Sequence, residues 1–308
     1  GHNHMGSVKE GKKLVYEASK STCDAITVQV REESFYEEYS NFSLPYYFYS
    51  DTVSLLKKTN KKFGVALSDL TMLEFFENLK PDFYKILSKD LEDHEFLNKL
   101  SKNTNRKLFL STGMSNYEKI NEAIDILGND TTLIHTSISD HLEDVNLKAI
   151  NTMKNNFCNN VAYGNHCKNI NAIYAAISFE PSDIFLYLKD DKQFEYPDNG
   201  HAIPICDLND TLENINQIGG YKKGTDFPDF QIYEAHHPDQ HEVAFLPSSP
   251  YAIISANDGG LFISDNYLAE DVEWNSLNNG YYSTQLYTVT INEHQATNAI
   301  LGGFQDNG

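Results

Sequence analysis

An alternation constrains this chain more than any other feature: from residue 7 to about 190, short apolar runs rich in β-formers alternate with longer segments of helical period. Strands are predicted at Ala25–Val30, Phe63–Leu67, Phe83–Leu87, Lys107–Leu110, Thr132–His135, Asn160–Tyr163 and Asp183–Leu188. Amphipathic helices are predicted between them, at Lys9–Ser19, Thr71–Asn78, Glu95–Ser101, Asn116–Leu127, Leu147–Asn156 and Asn171–Ser178. Repeated βα units imply a parallel sheet, because a parallel partner requires a crossover. No Gly-rich dinucleotide fingerprint follows any of these strands, which favours a barrel over an open doubly wound sheet. The chain opens with a loop and a helix, so the expected fold class is α/β, a (β/α)8 TIM-type barrel lacking its first strand.

The texture changes after Asp198. Gly219, Gly220, Gly224 and Pro228 precede short β-type runs at Val243–Phe245, Ile253–Ser255, Leu261–Ser264 and Tyr287–Ile291, with Pro, Asn, Asp and Gly turns between them. The reading is a barrel over 1–217, a junction at 218–224 and propeller-like all-β repeats over 225–308. The opening Gly1 and the closing Gly302-Gly303-Phe304-Gln305-Asp306-Asn307-Gly308 read as the ends of a fragment, unless the first seven residues are a cloning remnant.

Charge narrows the partners. With 44 acidic against 24 basic residues the net charge is −20, a field that repels nucleic acid and anionic membranes. No apolar run approaches the roughly 20 residues that span a bilayer. Four scattered cysteines without a CxxC pair read as reduced thiols, hence a cytoplasmic location.

In a parallel barrel the reactive groups sit where strands end. The period of two places Thr27, Gln29 and Arg31 on one face, and the next strand ends bring Lys85, Ser88, Lys89 and Asp90, then Ser111 and Thr112, then His166. Arg31, Lys85 and Lys89 at one mouth would form a local cationic site suited to a phosphate. Each also has a plain reading: Lys89 as a solvated side chain, Ser111 or Ser115 as a helix N-cap, His166 as a packed histidine. The aromatic stretch from Phe35 to Tyr49 reads as a loop packed back on the barrel, or as a substrate lid.

The runs Gly1-His2-Asn3-His4-Met5-Gly6, Tyr84-Lys85-Ile86-Leu87-Ser88, Leu110-Ser111-Thr112-Gly113-Met114, Glu143 to Ile150 and Asn160 to His166, with Pro197-Asp198, resemble the sialic acid synthase family in order and spacing. The resemblance covers roughly residues 1–215. It implies a condensation of phosphoenolpyruvate with an N-acylated amino sugar, a divalent metal (Mn²⁺ or Mg²⁺) that polarises the aldehyde, and a homodimer. By the same resemblance Gln29, Lys85, Ser88 and Ser111 bind substrate, Lys85 and Asp90 serve catalysis and His166 binds metal; Arg31, further along the same face as Thr27, is the expected substitute for the family's missing cation in substrate binding. The pattern departs at Thr27, which stands for a lysine, at Tyr187, which stands for the second metal histidine, at Gly164 and Asn165, and at Asp90, which stands for a glutamate. Nothing obvious replaces the missing histidine, although His4 or His135 could reach the same mouth from neighbouring strand ends. These departures keep a second reading open, a diverged non-catalytic barrel or binding protein.

Residues 225–308 carry Asn257-Asp258-Gly259-Gly260, Trp274 and Gln305-Asp306-Asn307-Gly308, which resemble the Asp-box propellers of sortilins and bacterial neuraminidases. The resemblance implies turn-forming roles for Asp258 and Asp306, and an interaction module in which His236, His237 and His241 are turn or surface residues.

Overall fold

The computed structural model describes residues 2–39, 42–191, 195–213, 236, 240–246, 252–267, 269, 272–279, 286–291 and 300–304. The chain divides into two compact units, Gly1–Asn216 and Gln217–Gly308.

In the first unit, seven parallel strands pair in sequence order: β1 (Ala25–Val30), β2 (Lys62–Leu67), β3 (Phe83–Ile86), β4 (Lys107–Ser111), β5 (Thr132–His135), β6 (Val161–Gly164) and β7 (Ile184–Phe185). The sheet is curled. Four strand spacings separate β3 from β7, about 19 Å if the sheet were flat. Yet the rings of Phe83 and Phe185 lie with centroids 6.3 Å apart, and Phe109 is 5.2 Å from Phe185. Phe83, Phe109, Ile134 and Ala162 form one buried cluster against which Ala25 and Phe185 pack. These six residues come from six strands and share one face, so they are the floor of the barrel interior. Gly64 of β2 leaves room for this floor: a Cβ there would stand 2.1 Å from the Phe83 ring.

Helices surround the sheet, and all but the short Glu33–Glu38, which buries no residue, pack a buried face inward. They are α1 (Val8–Lys20), α2 (Glu33–Glu38), α3 (Tyr46–Lys58), α4 (Leu73–Leu79), α5 (His94–Asn103), α6 (Tyr117–Leu127), α7 (Lys148–Asn156), α8 (Asn171–Ile177) and α9 (Leu208–Glu213). Their starts follow local chemistry: the side chains of Ser7, Asp93 and Asn116 accept from backbone N–H groups in the first turns of α1, α5 and α6. The main core lies between sheet and helices, where Leu56, Phe76, Leu97, Leu100, Ala123 and Ile150 are fully buried.

The structure corrects two local expectations. The aromatic stretch is neither loop nor lid along its whole length: Glu33–Glu38 and Tyr46–Lys58 are helical, and Phe48, Tyr49, Thr52, Val53 and Leu56 form the buried stripe of α3. The seventh predicted strand is broken. Only Ile184–Phe185 continues the sheet, while β8 (Leu188–Lys189) pairs in parallel with β9 (Ile203–Pro204).

In the second unit, β10 (Gln240–Phe245), β11 (Ile253–Asn257), β12 (Gly260–Ser264) and β13 (Asn275–Ser276) make one antiparallel sheet, and β14 (Leu286–Ile291) pairs with β15 (Ile300–Phe304). The turn from Asn257 to Gly260 joins β11 to β12; Asn257 Oδ1 accepts from Gly259 N–H, and Gly260 takes φ +113°, a value open to glycine. A four-stranded sheet and a separate ladder are all that the described residues show, so the propeller-like repeats expected here are not seen. His236, expected as a turn or surface histidine, is buried with its ring stacked on Trp274 at 3.9 Å, so it is not a surface residue. His241 pairs with Asp258, while His237 and Asp306 lie outside the described residues.

Candidate active site

Two residues beyond the floor, the side-chain period of two brings a polar layer to the same face of the sheet. From β1 to β7 and just beyond, it comprises Thr27 and Gln29, then Lys85, Ser111, Thr136, Gly164 and Tyr187. Lys85 is 7 % exposed, with its Nζ 3.4 Å from Tyr187 Oη and 4.9 Å from the Phe185 ring. No carboxylate pairs with this ammonium among the described residues, although a buried cation without a counter-ion is costly. Tyr187 Oη lies 3.3 Å from His166 Nε2. The His166 ring in turn stacks on His201 at 4.4 Å with 27° between the planes, and Tyr187 meets His201 edge-on at 4.7 Å. Lys85, Tyr187, His166 and His201 are thus one contiguous group.

Burial dominates the electrostatics. It lowers the His166 pKa to about 3, with His201 and Lys85 adding repulsion, and it also moves His201 downward. Both rings are neutral at pH 7, the state in which imidazole binds metal. No motif or spacing in the sequence singles out His201. It stands in the loop between β8 and β9, where His201 N–H and Ala202 N–H donate to the Asp198 carbonyl and Ile203 N–H donates to the Tyr187 carbonyl at 2.7 Å. Asn3 closes this loop from the other end of the unit: its Nδ2 donates to the Leu188 carbonyl at 2.7 Å, and its Oδ1 accepts from Asp198 N–H at 3.1 Å.

The remaining expected residues form a second group at the ends of β1 and β3. Arg31 is paired with Glu32 through Nε and Nη2, both at 3.0 Å, and its guanidinium lies over the Phe35 ring. Lys89 pairs with Glu32 at 3.1 Å and with Asp90 at 2.5 Å. Asp90 is buried and also accepts from Ser68 Oγ at 2.6 Å. The expected cationic cluster is therefore corrected: two of its three cations are neutralised locally, and Lys85 alone keeps its charge uncompensated among the described residues. Burial works against ionisation of Glu32, but its hydrogen bonds from Arg31 and Lys89 prevail and hold its pKa at about 2. Ser88 Oγ accepts from Gly113 N–H at 3.2 Å, which ties the end of β3 to the loop after β4. Gln29 is half-buried beside Ala66 of β2, and Ser111 is buried at the end of β4.

Neither candidate for the missing histidine reaches His166. His4 Nδ1 accepts from Gly6 N–H within its own turn, and His135 Nε2 is hydrogen-bonded to the Val145 carbonyl at 3.0 Å. Two atoms speak instead for a partner beside His201: His201 Nε2 and Asp198 Oδ2 are both buried with no hydrogen-bond partner. The described residues hold no group of three or more His, Cys, Asp or Glu arranged for a metal. His166, His201 and Asp198 therefore do not make up a three-donor set for a metal.

The NeuB family's sequence pattern matches residues 9–224 of the chain. The chain belongs to the NeuB family. Its NeuB region is 32 % identical over 236 residues to an uncharacterized protein of Methanocaldococcus jannaschii, covering 71 % of this chain and 68 % of that one. It is 26 % identical over 248 residues to the N,N'-diacetyllegionaminic acid synthase of Campylobacter jejuni, covering 71 % and 74 % of the two chains. Among solved structures, the N-acetylneuraminic acid synthetase of Leptospira borgpetersenii superposes with a TM-score of 0.65 at 21 % identity, over 69 % of this chain and 79 % of that chain. The likeness places the curled parallel sheet in the barrel fold of the NeuB proteins. The family match ends at residue 224, before the segment that resembles Asp-box repeats, and no helix among the described residues is long and apolar enough to cross a membrane.

Proposed function

We propose that this NeuB-family chain condenses phosphoenolpyruvate with the aldehyde of an N-acylated amino sugar to give a sialic-acid-type nonulosonate. One observation carries the reading: a buried ammonium, Lys85, faces the barrel mouth without a carboxylate beside it among the described residues. An anionic substrate would supply the missing charge, and a phosphate or carboxylate of phosphoenolpyruvate suits it in size and sign.

In this reading Lys85 binds the anion and Ser88, Ser111 and Gln29 orient it with neutral hydrogen bonds. Thr136 adds a buried hydroxyl, Oγ1, that has no partner of its own. The floor of Phe83, Phe109 and Phe185 excludes water from below, which strengthens every charge interaction above it. Asp90 stands at the reacting end, held by Ser68 and Lys89. A divalent cation beside His166, which the resemblance implies, would supply Lewis-acid polarisation of the aldehyde oxygen. The enol carbon then attacks the aldehyde carbon, and water displaces phosphate.

The test is calorimetric titration of phosphoenolpyruvate into the full chain, with and without Mn²⁺, beside Lys85→Ala. Saturable binding that the variant weakens about tenfold or more is expected from loss of one charge-assisted contact. Failure of the wild-type chain to bind, or equal binding by the variant, refutes the assignment.

A further inference from the structure

We infer that the Tyr187 hydroxyl, rather than a divalent cation, is the electrophile that polarises the aldehyde oxygen in this chain. The inference rests on the synthase reading and replaces the one step there that the resemblance alone supplies.

The phenol stands where such a donor is needed. Tyr187 belongs to the same polar layer as Lys85, Ser111 and Thr136, so its hydroxyl lies beside the ammonium that receives the anionic substrate. A tyrosine oxygen has two lone pairs and one hydrogen. Lys85 Nζ, which can only donate, approaches Oη at 3.4 Å, and His166 Nε2 approaches it at 3.3 Å. The His166 imidazole is neutral, since burial lowers its pKa to about 3, and with its one hydrogen on Nε2 it also donates to Oη. Both lone pairs are then taken by donors, one of them cationic, and the hydroxyl hydrogen is left for a substrate oxygen. Donors that feed into a hydroxyl oxygen make its own hydrogen a stronger donor. The ring is wedged in place, edge-on to His166 at 5.1 Å and to His201 at 4.7 Å.

A cation fits the same place badly. His166 Nε2 faces the phenol, and the described residues hold no group of three or more His, Cys, Asp or Glu arranged for a metal. The buried Lys85 ammonium, reaching the same hydroxyl, adds like charge. Chemistry without a cation balances. The enol π pair forms the new bond to the aldehyde carbon, and the carbonyl π pair moves onto the oxygen that Tyr187 holds. Water adds to the enol carbon that bears the phosphate, and the bond from that carbon to the phosphate oxygen breaks. Of the two water protons, one ends on the new hydroxyl and the other on the released phosphate, so Tyr187 keeps its own. A fixed donor aimed at the oxygen that gains charge acts as an oxyanion hole.

The experiment measures phosphate release from phosphoenolpyruvate by the full chain and by Tyr187→Phe, in EDTA and in Mn²⁺, with N-acetylmannosamine and diacetamido sugars as probe aldehydes. Mn²⁺ titration read from the electron paramagnetic resonance signal of the free ion gives a readout independent of turnover. Release should persist in EDTA, and the wild-type chain should show no saturable Mn²⁺ site in the micromolar range. Tyr187→Phe, with its folding checked by a thermal melt, should lose about 100-fold or more in kcat, the usual cost of one oxyanion donor. Its phosphoenolpyruvate affinity should fall by no more than about 13-fold, the loss of one hydrogen bond, whereas a merely structural tyrosine would move the two together. Release that EDTA abolishes and Mn²⁺ restores, a micromolar Mn²⁺ site in the wild type, no release from a chain that binds phosphoenolpyruvate, or a Tyr187→Phe kcat within about threefold of wild type would each overturn the inference. Failure to bind phosphoenolpyruvate at all would instead sink the synthase reading itself, and calorimetry tells the two apart.

Discussion

Lys85 at the end of β3 and Tyr187 just beyond β7 meet with Nζ and Oη 3.4 Å apart, although their strands stand four places apart in the sheet. Only the curl of the sheet allows it, and the contact holds the ammonium in the mouth. Replacing the hydroxyl in Tyr187→Phe keeps the ring beneath the ammonium and removes the hydrogen bond. Phosphoenolpyruvate affinity should fall by a factor of about 2 to 13, the equivalent of about 0.5–1.5 kcal/mol for one hydrogen bond. Calorimetric titration of the variant beside the wild-type chain measures it.

Glu32 neutralises Arg31 and Lys89 together. In Glu32→Gln Arg31 loses its carboxylate partner and Lys89 keeps only Asp90, so the net positive charge at the mouth rises and inorganic phosphate should bind a few-fold more tightly. The gain should shrink as salt rises, because exposed charges are screened within about 8–10 Å at 0.1–0.15 M ionic strength. Phosphate titrations at two salt concentrations give the answer, and an unchanged affinity would show that these cations do not face the anion.

The barrel floor permits no side chain on Gly64. A methyl group added there would stand 2.1 Å from the Phe83 ring, so Gly64→Ala must displace an aromatic that touches Phe109 and Phe185. A loss of about 1–3 kcal/mol is expected from overpacking of this kind. Urea denaturation should show a lower midpoint at an unchanged slope.

Stability should fall as the medium is acidified from pH 6.5. Burial lowers the pKa of His2 from 6.5 to about 3, with His4 and Arg31 adding repulsion, and burial also lowers that of His135. Both are neutral when folded and take up protons when unfolded, so their contribution is complete above 6.5 and is lost as pH falls toward the folded values. Each histidine contributes roughly 1.4 kcal/mol per pH unit inside its own window. Denaturation midpoints between pH 7 and 5 should decline for the wild-type chain and decline less steeply for His135→Asn.

The sequence by itself determined the parallel sheet, since apolar runs such as Phe63–Leu67 and Thr132–His135 separated by amphipathic helices leave few other ways to bury both faces. It also determined which residues share a face, because the period of two is a local property: Lys85 and Ser111 had to follow Phe83 and Phe109. The helix α3 escaped notice because eight aromatics between residues 35 and 49 obscured its period, and burial of Phe48, Tyr49 and Leu56 showed it. Only tertiary structure decided the partners of the charged groups. Glu32 adjoins Arg31 in the chain, but its meeting with Lys89, 57 residues away, follows from the pairing of β1, β2 and β3. His201 was beyond reach of any local pattern: it lies in an irregular loop, and it joins His166 because Asn3, near the start of the chain, anchors that loop beside the barrel mouth. Periodicity is set by bonds between neighbouring residues, whereas a site is set by which distant segments the closing sheet brings together.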